Sequence, residues 1–442
     1  MAAINKRLPK QDLIYTHEGA VAKKLPPFLQ LKRSVMSCML WEDEFYEDGE
    51  AIANRISNLA TQVTLEELVY LALEAKNDMR LRHAPLLLAR EVARHEFGSK
   101  YIRKLLGTIC TRPDDMQEFL AMYNMDKRQH ITHQSRLGLN DALKKFDEYQ
   151  LAKYNGGQAA FKLKDVIKLC HPEPKTTAES ELYKKVLTGT LATPDTWEVE
   201  ISKSTDKGAS WTRLLNEGKL GGLALLRNLR NMSEAGVDRN AIKDAIINLK
   251  LGRLLPINFL AAAKTNPAFE DVLEAKFLDS FTKDKIGGRT VILVDVSSSM
   301  SAKISQKSQQ SRYDVATSLA MIGREMFSDV AIYSFSGKAL LIPNRRGFAL
   351  RDAILKSQGC SGTDLKKSIL DVQAAEQNSF DRLIVITDEQ SHSNPADPRG
   401  YKGYIINVAS YKNGVGYGAW NHIDGWSDKV LDYIVTYEAN YA

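Results

Sequence analysis

Five oxygen-bearing residues are spaced as a hard cation could use them. Asp295, Ser297 and Ser299 recur at i, i+2 and i+4 in TVILVDVSSSMS, residues 290–301. Thr363 lies in SQGCSGTDL and Asp388 in VITDEQS. Carboxylate and hydroxyl oxygens, without nitrogen or sulfur, are what Mg2+ accepts, about six of them in an octahedron. Such a set leaves a coordination position for an acidic group of a partner. The same residues allow other chemistry. Ser299, His392 and Asp388 can be drawn as nucleophile, base and orienting acid, although no G-x-S-x-G elbow surrounds the serine. The phosphate-loop pattern G-x-x-x-x-G-K-[ST] is absent. GVGYGA, residues 414–419, does not join a strand to a helix as a dinucleotide loop does. The plain alternative is a set of polar turns, each closing a strand.

A cation site needs a scaffold that brings three distant segments to one edge. From Arg289 onward the chain alternates apolar, β-branched runs with amphipathic ones. TVILVDVS, DVAIYSFS, ALLIP, RLIVITDEQ and YIINVAS read as strands. RYDVATSLAMIGREMF and DLKKSILDVQAAEQN read as helices, and WSDKVLDYIVTYE as a closing helix. That order predicts a parallel sheet covered on both faces, and ligands of such sheets gather outside the carboxyl ends of the strands.

Residues 27–285 have a different period. TLEELVYLALEA opens with a capping-box spacing, Thr64 to Glu67, and places apolar residues at helical intervals. APLLLAREVARHEF, YIRKLLGTIC, DDMQEFLAMYNM, LNDALKKFDEYQLAKY, KDVIKLC and AESELYKKVLTG follow. SWTRLLNEG, LGGLALLRNLRNMSEAG, DRNAIKDAIINLK and INFLAAAK come after a Trp/Ser-rich stretch. Short amphipathic helices in a row, without a fixed sequence period, predict a stack of helix pairs, with an irregular globular bundle as the alternative. The seam falls at KDKIGG, residues 283–288.

Composition narrows the class. The chain of 442 residues carries a net charge of +6, most of it before Gly287. This bias allows a polyanionic partner without requiring one. The cysteines, Cys38, Cys110, Cys170 and Cys360, are too scattered for a zinc or disulfide framework and fit a reducing cytoplasm. No apolar run reaches the roughly 18 residues of a membrane span. MAAINKRLPKQD lacks the apolar core of a secretory signal.

DVSSSM, with Thr363 and Asp388, resembles the D-x-S-x-S signature of von Willebrand factor A domains over residues 287–442. The resemblance implies a metal-ion-dependent adhesion site in which Asp295, Ser297, Ser299, Thr363 and Asp388 hold a divalent cation, Mg2+. In that family the ion helps to bind an acidic group of a partner protein, and no reaction is catalysed. GKLGGLALLRNLRNM, residues 218–232, and KYNGGQAAFKLKDVIKLCHPEP, residues 153–174, are similar to the TROVE module of the Ro ribonucleoprotein family. Together these imply a multidomain fold. Residues 1–285 would form an all-α, HEAT-like helical-repeat ring that binds RNA. Residues 286–442 would form an α/β doubly wound, Rossmann-like A domain completing it. The implied partners are small non-coding RNAs, Y or Y-like, and single-stranded ends of misfolded RNAs, in scaffolding or quality control. An exoribonuclease or another protein would offer the acidic group. Neither DNA specificity nor a membrane is implied, and a cytoplasmic monomer is expected.

The Y RNA site of that family uses a lysine, an arginine and a histidine. Alignment on HPEP puts the histidine at His171 and the lysine near Lys153, while the arginine falls in NGGQ, which has none. Lys162, Lys164 and Lys168 are near enough to substitute, although an ammonium cannot reproduce the bidentate guanidinium fork. Phosphate contacts have further candidates in Arg80, Arg82, Arg90 and Arg94, in Lys127, Arg128, His130, His133 and Arg136, and in Arg227 and Arg230. Tyr154 and Phe161 are either base-stacking platforms or core. The competing reading is a metal-dependent protein-interaction module, an A domain beside a protein-binding solenoid, without RNA.

Overall fold

A computed structural model describes residues 14–15, 21–22, 26–36, 49–77, 79, 81–124, 130–155, 159–251, 254, 256–281, 284–304, 308–359, 362–409, 419–424, 430–431, 434–435 and 438. They fall into two compact units. One is helical, from Pro27 to Lys276. The other is α/β, from Phe277 onward, and takes in the antiparallel pair β1 (Ile14–Tyr15) and β2 (Val21–Ala22). Among the described residues no helix is long and apolar enough to cross a membrane.

The helical unit opens with α1 (Pro27–Met36), α2 (Gly49–Ala60), α3 (Leu65–Asn77), α4 (Ala84–Arg94), α5 (Ile102–Ile109) and α6 (Pro113–Asn124). It continues through α7 (His133–Leu143), α8 (Glu148–Tyr154), α9 (Leu163–Cys170), α10 (Thr177–Thr188), α11 (Trp197–Lys203) and α12 (Lys207–Asn216). α13 (Gly222–Glu234), α14 (Arg239–Ile247), α15 (Pro256–Thr265) and α16 (Glu270–Leu278) follow, and the division between the units falls inside α16.

Each helix is short, so its stability comes from burying one face. Leu68, Leu71, Leu86, Ile102, Leu106, Phe119, Leu139 and Val166 lie in one continuous core. Packing is between near neighbours in sequence: α3 on α4 and α5, α4 on α6, α5 on α7, and α7 on α9. That is the contact pattern of stacked helix pairs. Gly138 allows the close approach of α7 to α5, because a Cβ there would lie 2.8 Å from the Arg103 carbonyl oxygen. The Thr64 capping box forms as its spacing predicts, with the Thr64 N–H donating to Glu67 at 2.8 Å and the Glu67 N–H to Thr64 Oγ1 at 3.2 Å.

The periodicity fails at LNDALKKFDEYQLAKY, which reads as one helix and is two. Asp147 caps α8 by accepting from the Gln150 N–H at 2.7 Å, while the Gln150 side chain accepts from the Asp147 N–H at 3.0 Å. This local capping box starts a new helix inside an unbroken apolar pattern. α11 falls in the Trp/Ser-rich stretch, where no helical period stands out.

The α/β unit contains β3 (Ile286–Asp295), α17 (Arg312–Met326), β4 (Phe327–Phe335), β5 (Ala339–Leu341) and α18 (Gly347–Leu355). α19 (Leu365–Ala375), β6 (Arg382–Thr387), β7 (Lys402–Asn407) and β8 (Asn421–Asp424) follow. The sheet order is β5-β4-β3-β6-β7-β8, parallel except for β5 against β4. Side chains alternate across β3. Val291 and Leu293 pack with Ile369 and Val372 of α19. Ile292 lies under α17, where a Cβ on Gly323 would come to 2.5 Å from its Cδ1. The sheet is therefore covered on both faces, as its apolar strands require. The sequence did not single out α18 or β8. The closing helix read in WSDKVLDYIVTYE lies largely outside the described residues.

Candidate functional sites

The strand order reverses between β3 and β6, one neighbour leading to β4 and the other to β7. At such a switch point the loops leaving the two strands part and open a crevice at their carboxyl ends. Asp295 ends β3 and Asp388 follows β6, so the two carboxylates flank this crevice, both fully buried. Asp295 accepts from the Ser297 N–H at 2.8 Å and from the Thr387 hydroxyl at 2.6 Å. The turn after β3 brings Ser297 and Ser299 together, with their hydroxyl oxygens 3.2 Å apart. Tyr313 fixes that turn by donating its hydroxyl to the Ser297 carbonyl at 2.6 Å.

Thr363 is 8 % exposed, and its loop is tied to the strand end beyond Asp388. Its carbonyl accepts from the Ser391 hydroxyl at 3.1 Å, and the Asp364 N–H donates to the Ser336 carbonyl at 3.0 Å. All five residues expected at the cation site thus lie at one edge of the sheet, Asp295 at the end of β3 and the others in loops. Burial, followed by the charge of Asp388, pushes the Asp295 carboxyl up to about 7. Two carboxylates buried together are costly to ionise together, and a bound cation relieves that cost. Among the described residues no group of three or more His, Cys, Asp and Glu gathers for a metal. A cation here would rely on hydroxyls beside the two carboxylates, and that donor set fits a hard ion.

Three features of this edge escaped the sequence reading. Arg312, the first residue of α17 and 3 % exposed, donates from Nη1 to Asp388 Oδ2 at 3.0 Å. Thr387 and Tyr313 orient the acid and the serine turn. Beside them the buried Glu389, at φ 58°, meets the His422 imidazole. The drawn nucleophile set turns elsewhere: Ser299 to Ser297, His392 to Asp364 at 3.8 Å, and Asp388 to Arg312.

The basic residues of the helical unit separate into two groups. His171 caps α9 in the left-handed region, at φ 48°, with its N–H on the Ile167 carbonyl at 2.9 Å. Pro172 cannot continue the helix, and the His171 side chain stands exposed at its end. α7 packs on α9 and brings Arg136 to the same end. There Asn140 donates to the Cys170 carbonyl at 3.0 Å. Burial pushes the Cys170 thiol up to about 12, against the lowering field of Arg136. Lys164 and Lys168 are exposed on α9, and Lys162 is half-buried ahead of it. Lys153 is exposed at the end of α8, with Nζ 5.8 Å from the Tyr154 ring centre. His130 and His133 are exposed, as are Arg227 and Arg230, and Arg230 pairs with Glu234 at 3.5 Å.

Other candidates are engaged within the fold. Arg90 is 6 % exposed and donates to Ser57 at 2.6 Å and Glu91 at 2.8 Å. That removes it from the set a phosphate could reach. Arg82 pairs with Asp114, which also accepts from Arg112 at 2.7 and 3.0 Å. The Arg112 guanidinium lies 4.6 Å from the Tyr154 ring centre, and Phe161 packs against the helical core. The core reading of these aromatics therefore holds for Phe161, and one face of Tyr154 is covered. Arg80, Lys127 and Arg128 lie outside the described residues.

The family model of the TROVE domain matches residues 187–322. This span contains residues 218–232 and runs into α17, whereas residues 153–174 precede it. No curated protein matches. Among solved structures the chain is similar to the Deinococcus radiodurans RO (RSR) protein, at 18 % identity and a TM-score of 0.64, covering 94 % of this chain and 100 % of that one. It is also similar to a conserved hypothetical protein, BatB, from Bacteroides thetaiotaomicron, at 16 % identity and a TM-score of 0.25, covering 34 % of this chain and 97 % of that one. The resemblance to the Ro family is borne out by the TROVE match and the Deinococcus structure. So is the pairing of a helical fold with an α/β one.

Proposed function

We propose that this chain, with the fold of an Ro protein and a TROVE match over residues 187–322, is an Ro-like RNA-binding protein without catalytic activity. The observation that carries the reading is the end of α9, where His171 stands exposed and Arg136 of α7 lies close enough to act on Cys170. His171 and Arg136 there, and Lys153, Lys164 and Lys168 on α8 and α9, offer exposed or half-exposed hydrogen-bond donors. Such donors attract phosphates through counterion release, and a guanidinium adds bidentate geometry. We read Arg136, half-buried on α7, as the guanidinium available where the NGGQ segment has none. The substrates we infer are small structured non-coding RNAs, Y or Y-like, and the single-stranded ends of misfolded RNAs, bound for scaffolding or quality control in the cytoplasm.

We further read the α/β unit as a von Willebrand factor A domain. Asp295, Ser297, Ser299, Thr363 and Asp388 would hold a divalent cation, Mg2+, which supplies an electrophilic position for a partner's carboxylate. The partner is then a protein with an exposed acidic residue, such as an exoribonuclease. Asp295 and Asp388 supply the charge, Tyr313 and Thr387 hold the donors in place, and the buried edge limits competing water. Filter binding of a hairpin RNA with a single-stranded tail, followed across a salt titration, tests the RNA reading. We expect an affinity that falls steeply with salt. No binding at low salt would leave a protein-interaction module in its place.

A further inference from the structure

Arg312 is the buried cation at the candidate metal site. It is 3 % exposed, against 0 % for Asp388, so neither charge is screened by water. Its Nη1 lies 3.0 Å from Asp388 Oδ2 and 3.5 Å from the Ser299 carbonyl, an oxygen of the serine turn itself. The approach is rigid. Ser311 caps α17 through a reciprocal bond with Asp314, and the Arg312 N–H donates to the Ala302 carbonyl at 3.0 Å. The guanidinium therefore enters from a fixed helix start rather than from a flexible surface chain.

We propose that Arg312 is a tethered counter-cation that holds Asp388 when no divalent ion is bound, so that an ion enters only by taking Asp388 from it. This rests on reading the oxygen cluster as a divalent-cation site. The charge balance carries it. Asp295, Asp388 and Arg312 sum to one negative charge when all are ionised. A divalent ion placed among them turns the cluster positive and sets two like charges against each other at low dielectric. The arginine thus allows the ion-free unit to bury Asp388 at little cost and weakens the ion it stands in for. An ion pair that stayed closed with the ion bound would behave differently, because the guanidinium would be no more reactive with Mg2+ than without it.

The test is calorimetric titration of the EDTA-stripped full chain with Mg2+, comparing wild type, Arg312→Gln, Arg312→Met and Asp295→Asn at constant ionic strength. The neutral variants should bind Mg2+ about tenfold tighter or more, and Asp295→Asn should lose binding. Wild-type affinity in folded neutral variants, with binding still lost in Asp295→Asn, overturns the role of Arg312 and leaves the metal site standing. No binding in any protein overturns both. Should neither neutral variant fold, phenylglyoxal labelling of the wild type decides. Arg312 should become more reactive when Mg2+ takes its carboxylate, and unchanged reactivity at saturating Mg2+ overturns the proposal.

Discussion

The Thr387 hydroxyl donates to Asp295 at 2.6 Å across the point where the strand order reverses. This bond ties the end of β6 to the end of β3 and holds one carboxylate oxygen in the position the cluster needs. Replacing Thr387 with Val keeps the shape and removes the donor. We expect the α/β unit to lose about 1.5–3 kcal/mol, the range for a hydrogen bond to a charged group. Urea unfolding would show it, and an unchanged midpoint would mean that the bond contributes nothing.

Asp295→Ala should abolish the rise in melting temperature that Mg2+ gives the α/β unit. An equal response in both proteins would place the ion elsewhere. Loss of the response with an intact fold would mark Asp295 as the ligand that no other residue replaces.

The pH dependence follows from the same acid. Asp295 is raised from 3.8 to about 7 in the folded state, first by burial and then by Asp388. Folding therefore takes up a proton between those values. The stability this gives is complete below the lower value and fades as pH rises through the upper one. In EDTA the Asp295 contribution should favour pH 5 over pH 8, and Asp295→Asn should remove that difference. Saturating Mg2+ should reverse the trend, since the ion requires the carboxylate ionised.

For the helical unit we expect Lys153→Gln, Arg136→Gln and His171→Gln together to weaken RNA binding about 10-fold or more. The slope of log affinity against log salt should fall by about 0.7–0.9 for each phosphate that is no longer neutralised. An unchanged slope would move the interface elsewhere.

Arg90→Ala should do the opposite. It leaves Glu91, 11 % exposed at its side chain, with less compensation, and should destabilise the helical unit by about 3 kcal/mol or more. The salt slope of RNA binding by the folded variant should stay the same. A shallower slope would return Arg90 to the RNA-contacting set.

What could be read in advance follows from the range of the signals. The continuous apolar run in TVILVDVS and the Thr64–Glu67 spacing are local, and both formed where they were read. The shared edge of the five oxygen-bearing residues was legible because a parallel sheet gathers its strand ends there. Arg312 was not, because it lies 76 residues from Asp388 and nothing in SRYDVATS marks a guanidinium that turns inward. The split between α7 and α8 hid because a capping box overrode an intact apolar period. Arg82 and Arg90 look like surface arginines in sequence, and only the approach of α4 to α6 shows the charge already engaged.

The ion pair between Arg312 and Asp388 also carries a consequence for the growing chain. On a ribosome, β3, the serine turn and Arg312 emerge first, and their polar groups stay hydrated until β6 arrives to cover them. A nascent chain arrested just before residue 388 holds Asp295, Ser297, Ser299 and Thr363 but lacks Asp388, the carboxylate that Arg312 pairs with. Closure of the Arg312–Asp388 pair therefore waits until the chain has passed β6, so this corner of the α/β unit completes only after its central strands have been made.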